Sequence, residues 1–290
     1  MAEQAIAGPG TLVLKAPRPS PRRFDLKRQP GFGAVAMACL AMLYAPIVVL
    51  VLFSFNASRS VTRWSHFSLE WFAGVLANEE VHHAAGNSLT ISVVATVASS
   101  ILATLAALAT TRARPWRGMT AAYTMINLPL LVPEIVTAVA TLSFFSLLAS
   151  QLDVNFGIGN LILAHTVFCI PFAYMPIRAR LEDMDLTLEQ AAADLYATPW
   201  ATFRRVTLPL LMPSISSGAA LALIVSFDDF TITQLVAGPG QTTLPLYIWG
   251  QLHKMGVTPE VNAISSILLG ISILFVSLSF VIGSRRRRKS

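Results

Sequence analysis

Three carboxylates stand where carboxylates are costly: Glu134, Asp228 and Asp229 all fall inside apolar runs of the sequence. Ionisable groups at membrane depth are rare, and they mark substrate or ion paths. Glu134 lies about fifteen residues into its run, roughly 22 Å along a helix. Asp228 lies about nineteen residues beyond Pro209, roughly 28 Å along a run that crosses in the same direction. The acids therefore reach a similar level, at or beyond the middle of a bilayer. Pro129 and Pro133 free backbone carbonyls just before Glu134, which is tolerated where a helix lines a cavity. With Phe227 alongside, these acids form a candidate substrate path, and carboxylates converging in a sheltered place favour a cationic solute. The competing readings are an outer headgroup position for Asp228 and Asp229, past the end of their helix, and an interhelical hydrogen bond for Glu134. His165 and Asn127 read as buried polar contacts. Adjacent His82 and His83 are poorly spaced for joint metal ligation on a helix. Catalysis has no constellation here: no G-x-x-x-x-G-K-[ST] exists to cradle ATP, and no H-E-x-x-H or Ser/His/Asp arrangement occurs.

The elements that position these acids follow from composition. The chain has 290 residues, 54% of them hydrophobic and only 12% charged, where a soluble domain usually carries about twice that charge. Runs of this length and apolarity identify an all-α integral membrane protein. Six spans are expected, near 33–55, 87–110, 119–149 (broken by Pro129 and Pro133), 159–177, 209–235 and 263–283. Of the 21 basic residues, all but Arg59, Arg63 and Lys254 fall in the N-terminal tail, at the C-terminus, or in the second-to-third and fourth-to-fifth connections. Lysine and arginine accumulate on the cytoplasmic side, so both termini are expected inside, as an even number of spans requires. Residues 1–30 read as a disordered basic cytoplasmic tail, 31–284 as the transmembrane domain, and 285–290 as a basic anchor attracted to anionic lipid. Nucleic acid is not expected as a partner of that basic run, because aromatic interleaving is absent. Cys39 and Cys169 sit in apolar runs and read as small core residues. The outer connections are 56–86, 236–262 and a short one near Asp153. Trp64, Trp71 and Phe72 are expected in an interfacial helix, and Gly238-Pro239-Gly240 in a turn.

The most informative polar stretch is the inner connection 182–208. Thr187 with Gln190 three residues on is a capping-box pattern, and Glu189 sits in the first turn, where the helix dipole favours negative charge. Ala191 to Ala193 leave a nearly bare surface. Thr198-Pro199 reads as a fresh N-cap with proline at the first helical position, and Leu208-Pro209 as the next helix start. An amphipathic connector lying on headgroups has the same pattern. The ordered spacing of Gln190-Ala191-Ala192, a turn position at Tyr196, and Val206-Thr207-Leu208-Pro209 resembles the EAA signature of ABC importer permeases, whose loop sits on the ATP-binding subunit. The resemblance implies that Glu189, Gln190, Ala191, Ala192, Asp194, Leu195, Tyr196, Val206, Leu208 and Pro209 couple to an ATPase. Two departures stand out. Gln190 replaces the usual Glu, and Tyr196 replaces a Gly at a left-handed turn, a conformation that costs a non-glycine residue on the order of 1 kcal/mol.

Ser226-Phe227-Asp228-Asp229-Phe230, Val236-Ala237-Gly238-Pro239, Thr243-Leu244-Pro245-Leu246, Asn87-Ser88-Leu89 and Leu128-Pro129 with Pro133-Glu134 resemble the spermidine/putrescine permeases. What this resemblance implies is a six-span type I ABC importer permease of the inner membrane. Its expected partners are a second homologous permease, two ATPase subunits that use the ATP and magnesium, and a periplasmic binding protein. The chain itself would hydrolyse nothing and bind no cofactor. Permeases for aminoethylphosphonate, opines or thiamine share much of the pattern. A self-sufficient secondary transporter or channel could use the same acids, but it has no need of the Ala-Ala…Leu-Pro loop.

Overall fold

The computed structural model describes residues 31–59, 63–114, 116–152 and 157–287. The expected tail over 1–30, the outer turn at Asp153 and the end of the basic run at 288–290 lie outside them. Among the described residues the chain is helical, with one isolated bridge between Asn56 and Phe67. It divides into two units, Met1–Val48 and Val49–Ser290. Every described residue of the first unit after Gly31 belongs to α1 (Phe32–Ser54), which carries Pro46 inside it.

The second unit continues with α2 (Glu70–Ala77), α3 (Glu79–Thr111), α4 (Met119–Leu131), α5 (Glu134–Leu152) and α6 (Ile158–Asp183). Two short helices follow, α7 (Thr187–Asp194) and α8 (Pro199–Thr202), and then a π turn over Phe203–Thr207 that leads into α9 (Leu208–Phe227). The last elements are α10 (Thr231–Val236), α11 (Leu244–Met255) and α12 (Pro259–Arg287). Five stretches of the described residues are long and apolar enough to cross a membrane: α1, α3, α5, α6 and the continuous run Pro199–Phe227. Within α12 a shorter apolar stretch covers Pro259–Phe275.

Helices α3, α6 and α9 pack against one another. From α3 comes a stripe of small residues, with Ser92, Thr96, Ser99, Ala103 and Ala107 all buried. Small side chains let membrane helices approach closely. Several hydroxyls of α3 bond back within the helix, as Ser99 Oγ does to the Thr96 carbonyl at 3.1 Å and Thr104 Oγ1 to that of Ser100 at 2.7 Å. Helices α6 and α9 pack tightly at Gly218, where an added Cβ would lie 2.7 Å from the Ala173 carbonyl oxygen. Tyr174, Ile177 and Leu211 fill the rest of this cluster. A second cluster (Ile91, Ala138, Phe145, Leu161, Ile232) joins α3, α5, α6 and α10, and a third (Val75, Ala84, Leu244, Tyr247, Ile264) joins α2, α3, α11 and α12.

Four boundaries differ from the expectations, each for a local reason. Helix α3 starts at Glu79, because Asn78 accepts the Glu80 N–H and two acids occupy the first turn. The broken third span breaks once, at extended Val132 before Pro133, while Pro129 stays inside α4. The fifth span ends at Phe227 and restarts at Thr231 instead of running on to 235. Leu208-Pro209 opens α9 as expected but marks no break: helix is continuous from Pro199, and the Leu208 N–H reaches back five residues to Phe203 O, a π spacing that carries the chain through the proline.

Candidate functional site

Helix α7 is short, and its ends are set locally. The expected capping box is not formed. Thr187 is already helical, and its N–H is taken by the Asp185 side chain at 2.9 Å, which holds the Asp185 carboxyl below its usual range. Asp185 therefore does what Thr187 was expected to do, because an Asx turn reaches two residues ahead. At the other end, the N–H of Tyr196 bonds Ala193 O at 2.9 Å and that of Ala197 bonds Ala192 O at 3.0 Å. That pair of bonds is a Schellman motif, and Tyr196 occupies its left-handed position at φ 57°. The turn expected of a glycine is thus made by tyrosine, whose ring packs on nothing: the residue is 96% exposed. Thr198 then caps α8 by accepting the Ala201 N–H, with Pro199 at the first turn as expected.

Gln190, Ala191, Asp194 and Pro209 are exposed, as is Leu195, while Ala192, Val206 and Leu208 are half-buried. Leu188, Leu195, Tyr196 and Trp200 leave apolar surface uncovered around this elbow. Glu189 is different, because both its oxygens turn inward. Oε1 accepts the Thr207 hydroxyl at 3.0 Å, and Oε2 lies 3.4 Å from Arg112 Nε at the end of α3. Nearby, the Arg178 guanidinium lies 4.1 Å from the Tyr123 ring centroid and ties α4 to α6.

The acids lie at the break between α9 and α10. Asp228 ends α9, exposed, and accepts the Ser272 hydroxyl of α12 at 3.3 Å. Asp229 points the other way. Its Oδ1 takes the Ile232 N–H at 3.3 Å, and its Oδ2 takes the Thr233 N–H and hydroxyl, both at 3.0 Å. His165 of α6 closes the cluster, with Nδ1 2.8 Å from Ser226 Oγ and Nε2 3.1 Å from Thr233 Oγ1 and 3.4 Å from Asp229 Oδ2. The His165 and Asp229 side chains are each only 1% exposed. At the start of α5, which packs against α10, the half-buried Glu134 lies close enough to Asp229 and Thr231 for its carboxyl to feel both. Glu134 and Asp229 are thus brought together, and Asp228 is turned toward α12. Phe227 is buried, edge-on to Phe275. Asn127 bonds back to Tyr123 O at 2.8 Å.

On the far side of the bundle from α7, Asn87 donates to the carbonyls of Gly240 and Thr242 at 3.1 and 3.0 Å, and Ser88 accepts the Leu244 N–H at 2.8 Å. The Asn87-Ser88 pair thereby holds the Gly238–Thr243 turn, where Gly240 takes φ +76°. A cavity of about 730 Å³ beside it is lined by Glu80, His83, Asn87, Tyr247 and Lys254, among others. Trp71 lies in α2 as expected and donates to Asn56 O at 2.9 Å, whereas Trp64 precedes the helix and packs edge-on to Phe53. Among the described residues, no group of three or more His, Cys, Asp or Glu is placed to hold a metal ion.

Sequence reasoning missed Asp185, Arg112, Thr207, Ser226 and Thr233. Asp185 has a sequence signal, as an acid two residues before the helix start, and so has Thr233, four residues after Asp229. The others act through contacts that join distant parts of the chain.

Comparison with known proteins bears on the whole arrangement. The family described as "Binding-protein-dependent transport system inner membrane component" matches residues 89–288. The chain is 38% identical over 245 residues to the putrescine transport system permease protein PotI of Escherichia coli (strain K12), covering 84% of this chain and 87% of that protein. It is 36% identical over 250 residues to the spermidine/putrescine transport system permease protein PotC of the same strain, covering 86% and 92%. Among solved structures, a chain of a bacterial alginate ABC transporter in complex with its alginate pentasaccharide-bound periplasmic protein superposes with TM-score 0.70 at 17% identity, covering 88% of this chain and 95% of that one.

Proposed function

We propose, from the premise that the chain belongs to the family of binding-protein-dependent transport system inner membrane components, that it carries polyamines of the putrescine and spermidine class into the cell. The chain is a multi-pass inner-membrane permease of an ABC importer, the transmembrane component and not the ATPase, and it works with a periplasmic binding protein and an ATP-hydrolysing partner. The observation that carries the substrate class is the identity of 36–38% to two polyamine permeases over about five-sixths of the chain.

The site's electrostatics support this reading. None of the expected spans contains Lys or Arg, so acids and one histidine are their ionisable groups apart from cysteine and tyrosine. Glu134 and Asp229 place two carboxylates side by side, a juxtaposition that a bound ammonium relieves. Asp228 and Glu134 are the solute-facing acids, Phe227 shapes the wall behind them, and Asp229 serves by fixing the break. A helix interrupted at membrane depth is the usual setting for a transporter's substrate site. Six crossings with both termini inside follow if α4 with α5 makes one crossing and α12 the last. A tail over 1–30, a permease domain over 31–284 and a basic end over 285–290 complete the plan. A second permease and two ATPases complete the assembly, with α7 and its exposed apolar rim seated on one ATPase. ATP-driven closure pushes α7, and the cavity between the permeases turns from inward to outward access.

The test is uptake by the complex reconstituted in liposomes with its binding protein. Saturable, ATP-dependent import of putrescine or spermidine is expected. Import of aminoethylphosphonate or thiamine with none of either polyamine would overturn the substrate class.

A further inference from the structure

We propose that Arg112, a residue outside the coupling loop, is a positioning residue that transmits the motion of α7 into the bundle by gripping Glu189. This rests on the reading of α7 as the element that an ATPase moves.

An eight-residue helix has too few internal bonds to hold itself in place, so what fixes α7 is its contacts. Glu189 supplies two that lead out of the loop. One carboxylate oxygen takes the Thr207 hydroxyl at 3.0 Å, and the other faces Arg112 Nε at 3.4 Å. Thr207 is buried in the π turn that runs straight into α9, and Arg112 caps the C-terminus of α3. A displacement of α7 therefore pulls on α9 through a hydroxyl–carboxylate hydrogen bond and on α3 through an ion pair. These are two of the three helices that pack together at the centre of the bundle. Both members of the ion pair are about one-fifth exposed, at 21% and 20%, so the pair is only partly screened by solvent. Its 3.4 Å separation is longer than a closed charge-assisted hydrogen bond of about 2.8 Å. A cavity of about 370 Å³, lined by Leu108, Arg112, Glu189, Ala193, Phe203 and Thr207 among others, leaves α7 room to shift. Because both oxygens of Glu189 are directed inward, the coupling surface offered to the ATPase is made by its neighbours, and Glu189 is the link behind that surface.

The experiment uses the full importer in liposomes and measures solute imported per ATP hydrolysed, together with ATPase co-purified per permease. For Arg112→Gln, the ATPase should still co-purify while import per ATP falls about tenfold, within the range of coupling between contacting residues. Arg112→Lys should recover part of the loss, and the swap Arg112→Glu with Glu189→Arg should exceed either single reversal. Wild-type import per ATP in Arg112→Gln overturns the proposal. So does loss of the co-purifying ATPase, which would make Arg112 a docking residue, and so does a swap no better than its single variants. Ala192→Trp, run in parallel, separates this from the reading beneath it. If Ala192→Trp uncouples and Arg112→Gln does not, the link alone fails. If neither has an effect, the coupling role of α7 fails as well.

Discussion

Tyr196 holds a conformation made for glycine, and replacing it should tighten the turn. A non-glycine residue at φ 57° carries about 1–2 kcal/mol of steric cost. The ring gives nothing back by packing, since the residue is 96% exposed. Tyr196→Gly removes that cost and adds roughly 0.5–1 kcal/mol of unfolded-chain entropy. The net gain is about 0.7 kcal/mol, or roughly a threefold change in the local opening equilibrium. The assay is hydrogen exchange of the two Schellman amides, at positions 196 and 197, in the purified complex, since exchange reports local opening. Both should slow about threefold in Tyr196→Gly, by the same arithmetic. Tyr196→Ala, which keeps the strain and removes only the ring, should exchange as the parent does. Equal slowing in the alanine variant would refute the strain reasoning, because it would show that the ring itself loosens the turn. Tyr196→Phe and Tyr196→Gly also separate strain from docking. If the ring contacts the ATPase, the glycine variant loses co-purifying ATPase while its turn grows more ordered.

Three further outcomes follow from the packing. Gly218→Ala forces a Cβ to 2.7 Å from the Ala173 carbonyl oxygen, and it should cost about 1–3 kcal/mol, read as a lower apparent melting midpoint, whereas Gly74→Ala, where nothing lies within 4 Å, should leave the midpoint near that of the parent. Glu134→Gln and Asp228→Asn should each lower polyamine import several-fold at unchanged membrane abundance, and wild-type import in both would remove the acids from the path. Asp229→Ala takes the acceptor from two backbone N–H groups and a hydroxyl, a loss of about 1–3 kcal/mol that should reduce abundance in the membrane, while Asp228→Ala should not.

The sequence made the elbow legible because its rules are short in range. Thr198 and Pro199 are adjacent, the Schellman turn spans six residues, and each signal acts within two helical turns. The one local error, Thr187 as cap in place of Asp185, is a shift of two residues between alternatives of the same chemistry. Legibility ended where one side chain served two distant elements. Nothing near Arg112 marks it as the partner of Glu189, because the two are neighbours only after α3 and α6 have packed. His165 is the same case: alone on an apolar helix it reads as a satisfied core histidine, and that much is correct. Its partners at Ser226, Thr233 and Asp229 exist only where α6 meets α9, α10 and the break between them.

The adjacent acids show why depth alone could not assign roles. Asp228 and Asp229 are of the same type and only one position apart in distance from Pro209, so any argument from rise per residue treats them alike. What separates them is where α9 ends. The fifth apolar run has no proline or glycine between Gly218 and Gly238, so hydropathy carries it smoothly through the break. The signal for a stop is instead the carboxylate followed by Ile232 and Thr233, whose N–H groups it captures. Asp229 turns its side chain toward the start of α10, and the residue before it projects from a different face of the chain. That leaves Asp228 beside Ser272 and exposed. One aspartate makes the break and the other is presented by it, so the two variants should fail differently: Asp229→Asn, which keeps one acceptor oxygen, by loss of abundance, and Asp228→Asn by loss of import from normally abundant protein. Identical phenotypes in a quantitative membrane blot paired with uptake would show that the division of labour is wrong.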